Sequence, residues 1–313
     1  MGDNIWQNPV VWGLGGIYGL LVVAALVVCG LCKSYPERNY SELIDRTRTW
    51  AVIITMVAIV TVMGTGAAVL FFGFISFLAF KEFLSIIPTR QSDRRVLFFA
   101  YLVIPIQYWF VYDVWYGMFS IFIPVYAFVV LAFLHLLTGE TKGFIKAAGT
   151  LQWGLALTVY NLSHIAYLLV LPLKDPVVAG GAGLMLFMLF LTQFNDVAQY
   201  VWGKMAGRRR IIPSVSPNKT WEGFIGGVIT TTLMAGFLAS YLTPFSMIHG
   251  FVAGAVIAIL GFIGDITVSA VKRDLGIKDS GKSLPGHGGY LDRLDSLTLV
   301  APVFLHFTRY FYG

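Results

Sequence analysis

Residues 51–87 read AVIITMVAIVTVMGTGAAVLFFGFISFLAFKEFLSII, and the number of times this stretch crosses a bilayer decides the fold. A helical span needs about 20 apolar residues, so the run is too long for one comfortable crossing. Gly64-Thr65-Gly66 divides it, and glycine is a ready turn former. A hairpin there would also place two basic connectors on one side. Lys33, Arg38, Arg46 and Arg48 precede the run, and Lys81, Arg90, Arg94 and Arg95 lie in it or beside it. Excess lysine and arginine marks cytoplasmic loops, so the hairpin is the expected arrangement. A single tilted span would instead leave nine crossings and move the N-terminus to the other side.

Outward from this run the pattern repeats. Of 313 residues, 57% are hydrophobic and only 12% charged, against roughly 25% charged in a soluble domain. Further apolar runs cover 10–31, 96–111, 115–137, 148–171, 177–194, 224–242, 248–264 and 296–312. The expected fold is therefore an all-α polytopic membrane protein of about ten helices, nine if Ala51–Ile87 is a single span. Its polar loops face the cytoplasm and both termini lie outside. Residues 1–313 read as one membrane domain, in which 1–172 carries no recognised motif and 173–313 carries the polar ones. A bacterial-type inner membrane suits the charge bias.

Composition also argues against other classes. A net charge of +6 belongs to cytoplasmic loops and anionic lipid rather than to nucleic acid. The first run lacks basic residues ahead of it, which speaks against a cleaved signal peptide. Cys29 and Cys32 form a C-x-x-C, yet no second pair or histidine cluster completes a zinc site. Gly15-x-x-x-Gly19 permits a homodimer contact without requiring one. Asn161 and His164 sit inside a span, where a hydrogen bond to a neighbouring helix is the expected use.

Two polar inserts remain. The second, Ser269–Asp295, contains Gly276-I-K-D-S-Gly281-Lys282-Ser283, which satisfies the P-loop pattern. A P-loop requires a strand before it and a helix opening at the Lys-Ser. Here a membrane span precedes and Leu284-Pro285-Gly286 follows, so P-loop topology is rejected. Glycines and lysines in a loop still suit phosphate oxygens. Asp265 ends one span, while Asp292 and Asp295 open the next with helical spacing on one face. Three carboxylates at adjacent helix mouths would repel unless a cation sat between them, and hard oxygen ligands favour magnesium. Lys219, Lys272, Arg273, Lys278, Lys282 and His287 surround them in sequence, as expected for a polyphosphate site. The first insert, Asn195–Glu222, adds Asn195, Asp196, Lys204 and Arg208, then Ser216-Pro217-Asn218-Lys219-Thr220-Trp221-Glu222-Gly223, which looks like a helix entrance.

Ser269-x-x-Lys272-Arg273, Lys278-Asp279-x-Gly281, Leu284-Pro285-x-His287-Gly288-Gly289 and Asp292-Arg293-x-Asp295 together resemble the signature of the phosphatidate cytidylyltransferases, also called CDP-diacylglycerol synthases. The run from Asn195-Asp196 to Glu222-Gly223 resembles the same family, and Tyr290 is a mild departure from it. The resemblance covers about a hundred residues of the C-terminal half. It implies a magnesium-dependent reaction of CTP with phosphatidic acid, giving CDP-diacylglycerol and pyrophosphate. It further implies Asp265, Asp292 and Asp295 as metal ligands, with a potassium ion beside the magnesium as a further expectation. Lys272, Arg273 and His287 join those aspartates as catalytic candidates. Asn195, Asp196, Lys204, Ser216, Lys219, Lys278, Asp279 and Arg293 are the substrate-binding candidates. Two alternatives stay open at this point: an ion-coupled transporter, and a cytidylyltransferase for a different lipid phosphate.

Overall fold

The computed structural model describes residues 8–174, 177–281, 283–284 and 288–313. Ten long helices account for most of them: α1 Pro9–Ser34, α2 Ser41–Met63, α3 Thr65–Ile86, α4 Arg94–Tyr112, α5 Tyr116–Leu136, α6 Phe144–Val170, α7 Gly180–Ala206, α8 Trp221–Leu242, α9 Met247–Asp274 and α10 Leu291–Tyr312. The first nine are long and apolar enough to cross a membrane. The tenth matches them in length but carries Asp292, Arg293 and Asp295 in its first two turns. Among the described residues no strand forms, only isolated bridges. The protein is an all-α polytopic membrane protein.

Residues 51–87 resolve as two helices separated by Gly64 alone, which adopts φ +90°. A side chain there would be strained, so glycine lets α2 stop and α3 start with no linker. That this break is a hairpin follows from the neighbours. Tyr18 of α1 donates to Thr55 of α2 at 3.0 Å, and Val57 packs with Leu14, Val10 and Ala179 at one end of the bundle. Glu82, near the close of α3, instead bonds the amides of Tyr290 and Leu291 at the other end. The run is therefore a hairpin of two helices rather than one tilted span.

The connectors divide accordingly. Arg90 reaches the carbonyls of Glu140 and Lys142, and Arg273 reaches that of Val215, so the polar segments gather at one end. At the opposite end Tyr312 accepts from the amide of Lys174 at 2.9 Å, and its hydroxyl accepts from that of Ser246 at 3.1 Å. Among the described lysines and arginines, only Lys174 and Arg309 lie at that second end.

One apolar core runs through both halves of the chain, from Val69 and Phe80 through Leu155 and Tyr167 to Phe187, Val300 and Phe304. By contrast, Val10 and Val28 are the buried residues of α1, which leaves it a peripheral helix. Helices α7 to α10 pack more tightly. A Cβ on Gly254 would stand 2.3 Å from that of Ala235, so α8 and α9 touch backbone to backbone.

Helix ends depart from the apolar runs in a way that matters for the site. The span expected at 177–194 runs on to Ala206, and the one expected at 248–264 runs on to Asp274. Asn195, Asp196, Asp265, Lys272 and Arg273 therefore stand on helices rather than in loops. At 1.5 Å per residue, Asp265 lies about 13 Å inside the end of α9. Polar residues there line a recess between helices, so their backbone remains helical and internally bonded.

Candidate active site

The recess is built from the inner ends of α7, α9 and α10 and the segment 207–220. That segment folds back on itself: Arg210 and Thr220 form an antiparallel bridge, and Glu222 accepts from the amides of Arg208 and Arg209. Thr220 then caps α8 by accepting from Gly223 N at 3.2 Å. This fold carries Lys219 into the recess.

Lys219 is the centre of the first group. Its Nζ lies 2.7 Å from Asp265 Oδ2, donates to Gln199 Oε1 at 3.3 Å and stands 5.7 Å from the centroid of the Phe262 ring. Burial works against its charge, but Asp265 and Asp196 outweigh that and hold its pKa above the ordinary lysine value. Asp196 Oδ2 accepts from Ser296 Oγ at 3.0 Å, whereas its Oδ1 is buried with no partner. The charges acting on Asp295 are those of Asp265, Asp196 and Lys272. Of these three carboxylates, Asp265 is the one ion-paired with Lys219.

Asp292 belongs to a second group. Lys272 Nζ donates to its Oδ1 at 2.6 Å. Its Oδ2 accepts from Ser280 N at 2.9 Å, Gly289 N at 2.9 Å and Ser280 Oγ at 3.0 Å. Both oxygens are engaged, so the expected trio of Asp265, Asp292 and Asp295 is not gathered. Helical spacing does put Asp292 and Asp295 on neighbouring positions, but the preceding loop folds onto the first turn of α10 and takes Asp292 with it. Among the described residues, no three acidic, histidine or cysteine side chains converge as a metal cage.

The other expected residues divide. Arg273 joins the two polar segments through Val215 O at 3.2 Å and Ile277 O at 3.0 Å. Lys204, Lys278 and Asp279 are exposed at the rim. The Ser216 backbone shapes its turn by accepting from Lys219 N at 3.4 Å and donating to Ile212 O at 3.0 Å. Arg293 is half-buried, and its Nε has no partner. Asn195 is fully buried between helices, donating to Ala258 O at 3.2 Å and accepting from Thr231 Oγ1 at 3.3 Å. Its side chain cross-links α7 to α8 and α9 rather than facing the recess. His287 and Lys282 lie outside the described residues.

Sequence reading missed Glu82 and Gln199. Glu82 comes from the half without a motif and contacts Ser280, Ser283, Tyr290 and Leu291. The signal was an ionisable residue inside an apolar run. A separate cavity of about 1250 Å³ lies behind Phe83 and Leu84, lined also by Arg90, His135, Trp153 and Val271. It contains none of the carboxylates above, and Arg90 there is held by Asp93 through two 2.8 Å bonds.

Carboxylates and lysines at the mouths of membrane helices, with basic loops around them, suit a membrane protein that handles phosphate groups. Residues 44–311 match the cytidylyltransferase family. The chain belongs to that family and is a nucleotidyltransferase. It is 43% identical over 297 residues to the uncharacterized protein YnbB of Escherichia coli, covering 95% of this chain and 97% of that protein. It is 41% identical over 132 residues to the phosphatidate cytidylyltransferase of Haemophilus influenzae, covering 41% of this chain and 46% of that one. For the Mycobacterium leprae phosphatidate cytidylyltransferase the figures are 39% over 143 residues, 46% of this chain and 44% of the relative. The match to these two enzymes therefore spans less than half of their length.

Proposed function

We propose that this chain transfers the cytidylyl group of CTP to phosphatidic acid, giving CDP-diacylglycerol and pyrophosphate, at the cytoplasmic face of a bacterial inner membrane. The observation that carries the reading is the Lys219–Asp265 pair at 2.7 Å, flanked by Asp196 and Asp295 in a recess that meets both lipid and water.

In the reaction, an oxygen of the lipid phosphomonoester attacks the α-phosphorus of CTP. The new P–O bond forms as the bond to the bridging oxygen of the β-phosphate breaks, and pyrophosphate leaves with the electron pair. No covalent enzyme nucleophile is needed, so catalysis consists of positioning and of neutralising charge on the five-coordinate centre and the leaving group. Lys219 and Lys272 present ammonium groups inside the recess, and Arg273 and Lys278 present cations at its rim.

Among the described residues these carboxylates do not converge as a preformed metal cage, so the magnesium of this reading would be held by Asp196, Asp265 and Asp295 as they draw together around it. Asp196 enters in place of Asp292 because its Oδ1 is buried without a partner, whereas both Asp292 oxygens are engaged. Bound there, magnesium would neutralise phosphate charge beyond the reach of side chains alone.

The test is thin-layer analysis of lipid products from labelled CTP and phosphatidic acid with the purified protein, with and without magnesium. Labelled CDP-diacylglycerol that requires both acceptor and metal is the expected result. Label appearing only with a different lipid phosphomonoester would overturn the acceptor assignment, and no nucleotidyl transfer to any lipid phosphate would overturn the reaction.

A further inference from the structure

We infer that Glu82 is a positioning residue that sets the catalytic segment from the other half of the chain. The inference rests on the reaction proposed above. Its basis is the capping of α10. The first amides of a helix have no partner within it, and Tyr290, at the N-cap position, makes no side-chain cap. Glu82 supplies the cap from α3, accepting from Tyr290 N through Oε2 and from Leu291 N through Oε1, each at 2.9 Å. A carboxylate at a helix N-terminus is also favoured by the helix dipole. Asp292 and Asp295 follow within the first two turns, so α3 determines where both carboxylates stand.

Ser280 adds a second link. Its hydroxyl lies 2.5 Å from Glu82 Oε1 and 3.0 Å from Asp292 Oδ2, yet it has one proton to donate. The shorter distance assigns that proton to Glu82, which leaves the charge of Asp292 facing Lys272. Without Glu82 the hydroxyl would turn to Asp292 and compete with the Lys272 ammonium. Glu82 is itself only 8% exposed, and among the described residues no ion pair neutralises it. Among the described residues its polar partners are the hydroxyls of Ser280 and Ser283 and the amides of Tyr290 and Leu291. The fit is close: a Cβ on Gly289 would stand 2.1 Å from Glu82 Oε1, so the glycine is required for the carboxylate to reach the amides.

Glutamine at this position keeps the shape but replaces one acceptor with an NH2 group, which would face an amide N–H. Aspartate keeps both acceptors on a shorter stem. The experiment compares Glu82→Gln, Glu82→Asp and Ser280→Ala in the full chain, measuring kcat, KM for CTP and amide exchange at Ser280, Gly289, Tyr290 and Leu291. For Glu82→Gln we expect kcat about 10²-fold lower, KM for CTP changed less than about threefold, and faster exchange at those amides. Glu82→Asp should recover part of kcat, which a general loss of folding would not allow. If Glu82→Gln does not fold, the Glu82→Asp and Ser280→Ala pair gives the same reading through smaller changes in kcat and exchange. Wild-type kcat and exchange in all three variants would overturn the inference. A wild-type protein inactive with CTP and phosphatidic acid, but with faster exchange in Glu82→Gln, would overturn the proposed reaction and support the positioning of the segment.

Discussion

Replacing Lys272 with methionine keeps an apolar stem of similar length and removes the ammonium 2.6 Å from Asp292 Oδ1. The two side chains are 10% and 5% exposed, so the screening that makes surface pairs nearly worthless does not apply. Removing one partner of a buried pair costs about 3–5 kcal/mol when the other is left bare. Asp292 is not left bare, because Ser280 N and Gly289 N still donate to it. We therefore expect Lys272→Met to cost about 2–3 kcal/mol, below the bare-charge range. Asp292→Asn must turn its oxygen to those donors and its NH2 to Lys272, for a loss of about 2–4 kcal/mol by the same reasoning. The double variant removes the conflict, so its cost should fall short of the sum by about 2 kcal/mol. Unfolding by SDS titration from mixed micelles measures all four proteins. Additivity within about 0.5 kcal/mol would refute the coupling and with it the assignment of Asp292 as a buried strut.

Further outcomes follow from the same geometry. Asp196→Asn should raise the magnesium concentration for half-maximal activity, whereas Asp292→Asn should lower stability and leave that concentration unchanged; the reverse pattern would restore Asp292 to the metal seat. Lys219 has a folded pKa raised above 10.5, so its contribution to stability is complete below that value and is lost as pH rises through the folded pKa. The difference in melting temperature between wild type and Lys219→Gln should accordingly shrink as pH rises through that folded pKa, and a difference that grows there would contradict the sign. Gly254→Ala places a Cβ 2.3 Å from Ala235 Cβ and 3.0 Å from Thr232 Cα, neither of which can swing aside, so α8 and α9 must separate at a cost of about 1–3 kcal/mol; an unchanged melting temperature would count against backbone contact there. Asn195→Ala should cost about 1–3 kcal/mol with KM for CTP unchanged, and a raised KM with full stability would return Asn195 to substrate binding.

Much of this was legible in the sequence, for reasons that also explain the rest. The hairpin could be read because Gly64 interrupts an over-long run and the basic residues alternate with it. Lys219, Asp265 and Lys272 could be singled out because charge inside an apolar chain needs a partner. The ends of α7 and α9 were misjudged because hydropathy stops where polarity starts, while the helix continues as long as its backbone bonds are satisfied within a recess. Helical spacing, mutual repulsion and the family resemblance together group Asp292 with Asp295. Spacing fixes which face of α10 a residue occupies, but the Ser280–Gly289 loop decides which neighbour claims it. Glu82 could not be linked to Leu291 from sequence, since that contact joins two helices far apart in the chain.

Two of the recess carboxylates are each opposed by an ammonium, and this bears on the proposed reaction. Carboxylates without cations would be too costly among membrane helices, and Lys219 meets that need at Asp265 while Lys272 meets it at Asp292. The two pairs differ in what holds them. Asp292 and Lys272 are fixed by loop amides and, through Ser280, by Glu82. Lys219 instead comes from the segment 207–220, its side chain is 23% exposed, and its second contact is a longer one to Gln199 at 3.3 Å. In the proposed reaction Lys219 would exchange Asp265 for a phosphate oxygen of the nucleotide, while the Lys272–Asp292 pair keeps the start of α10 in place.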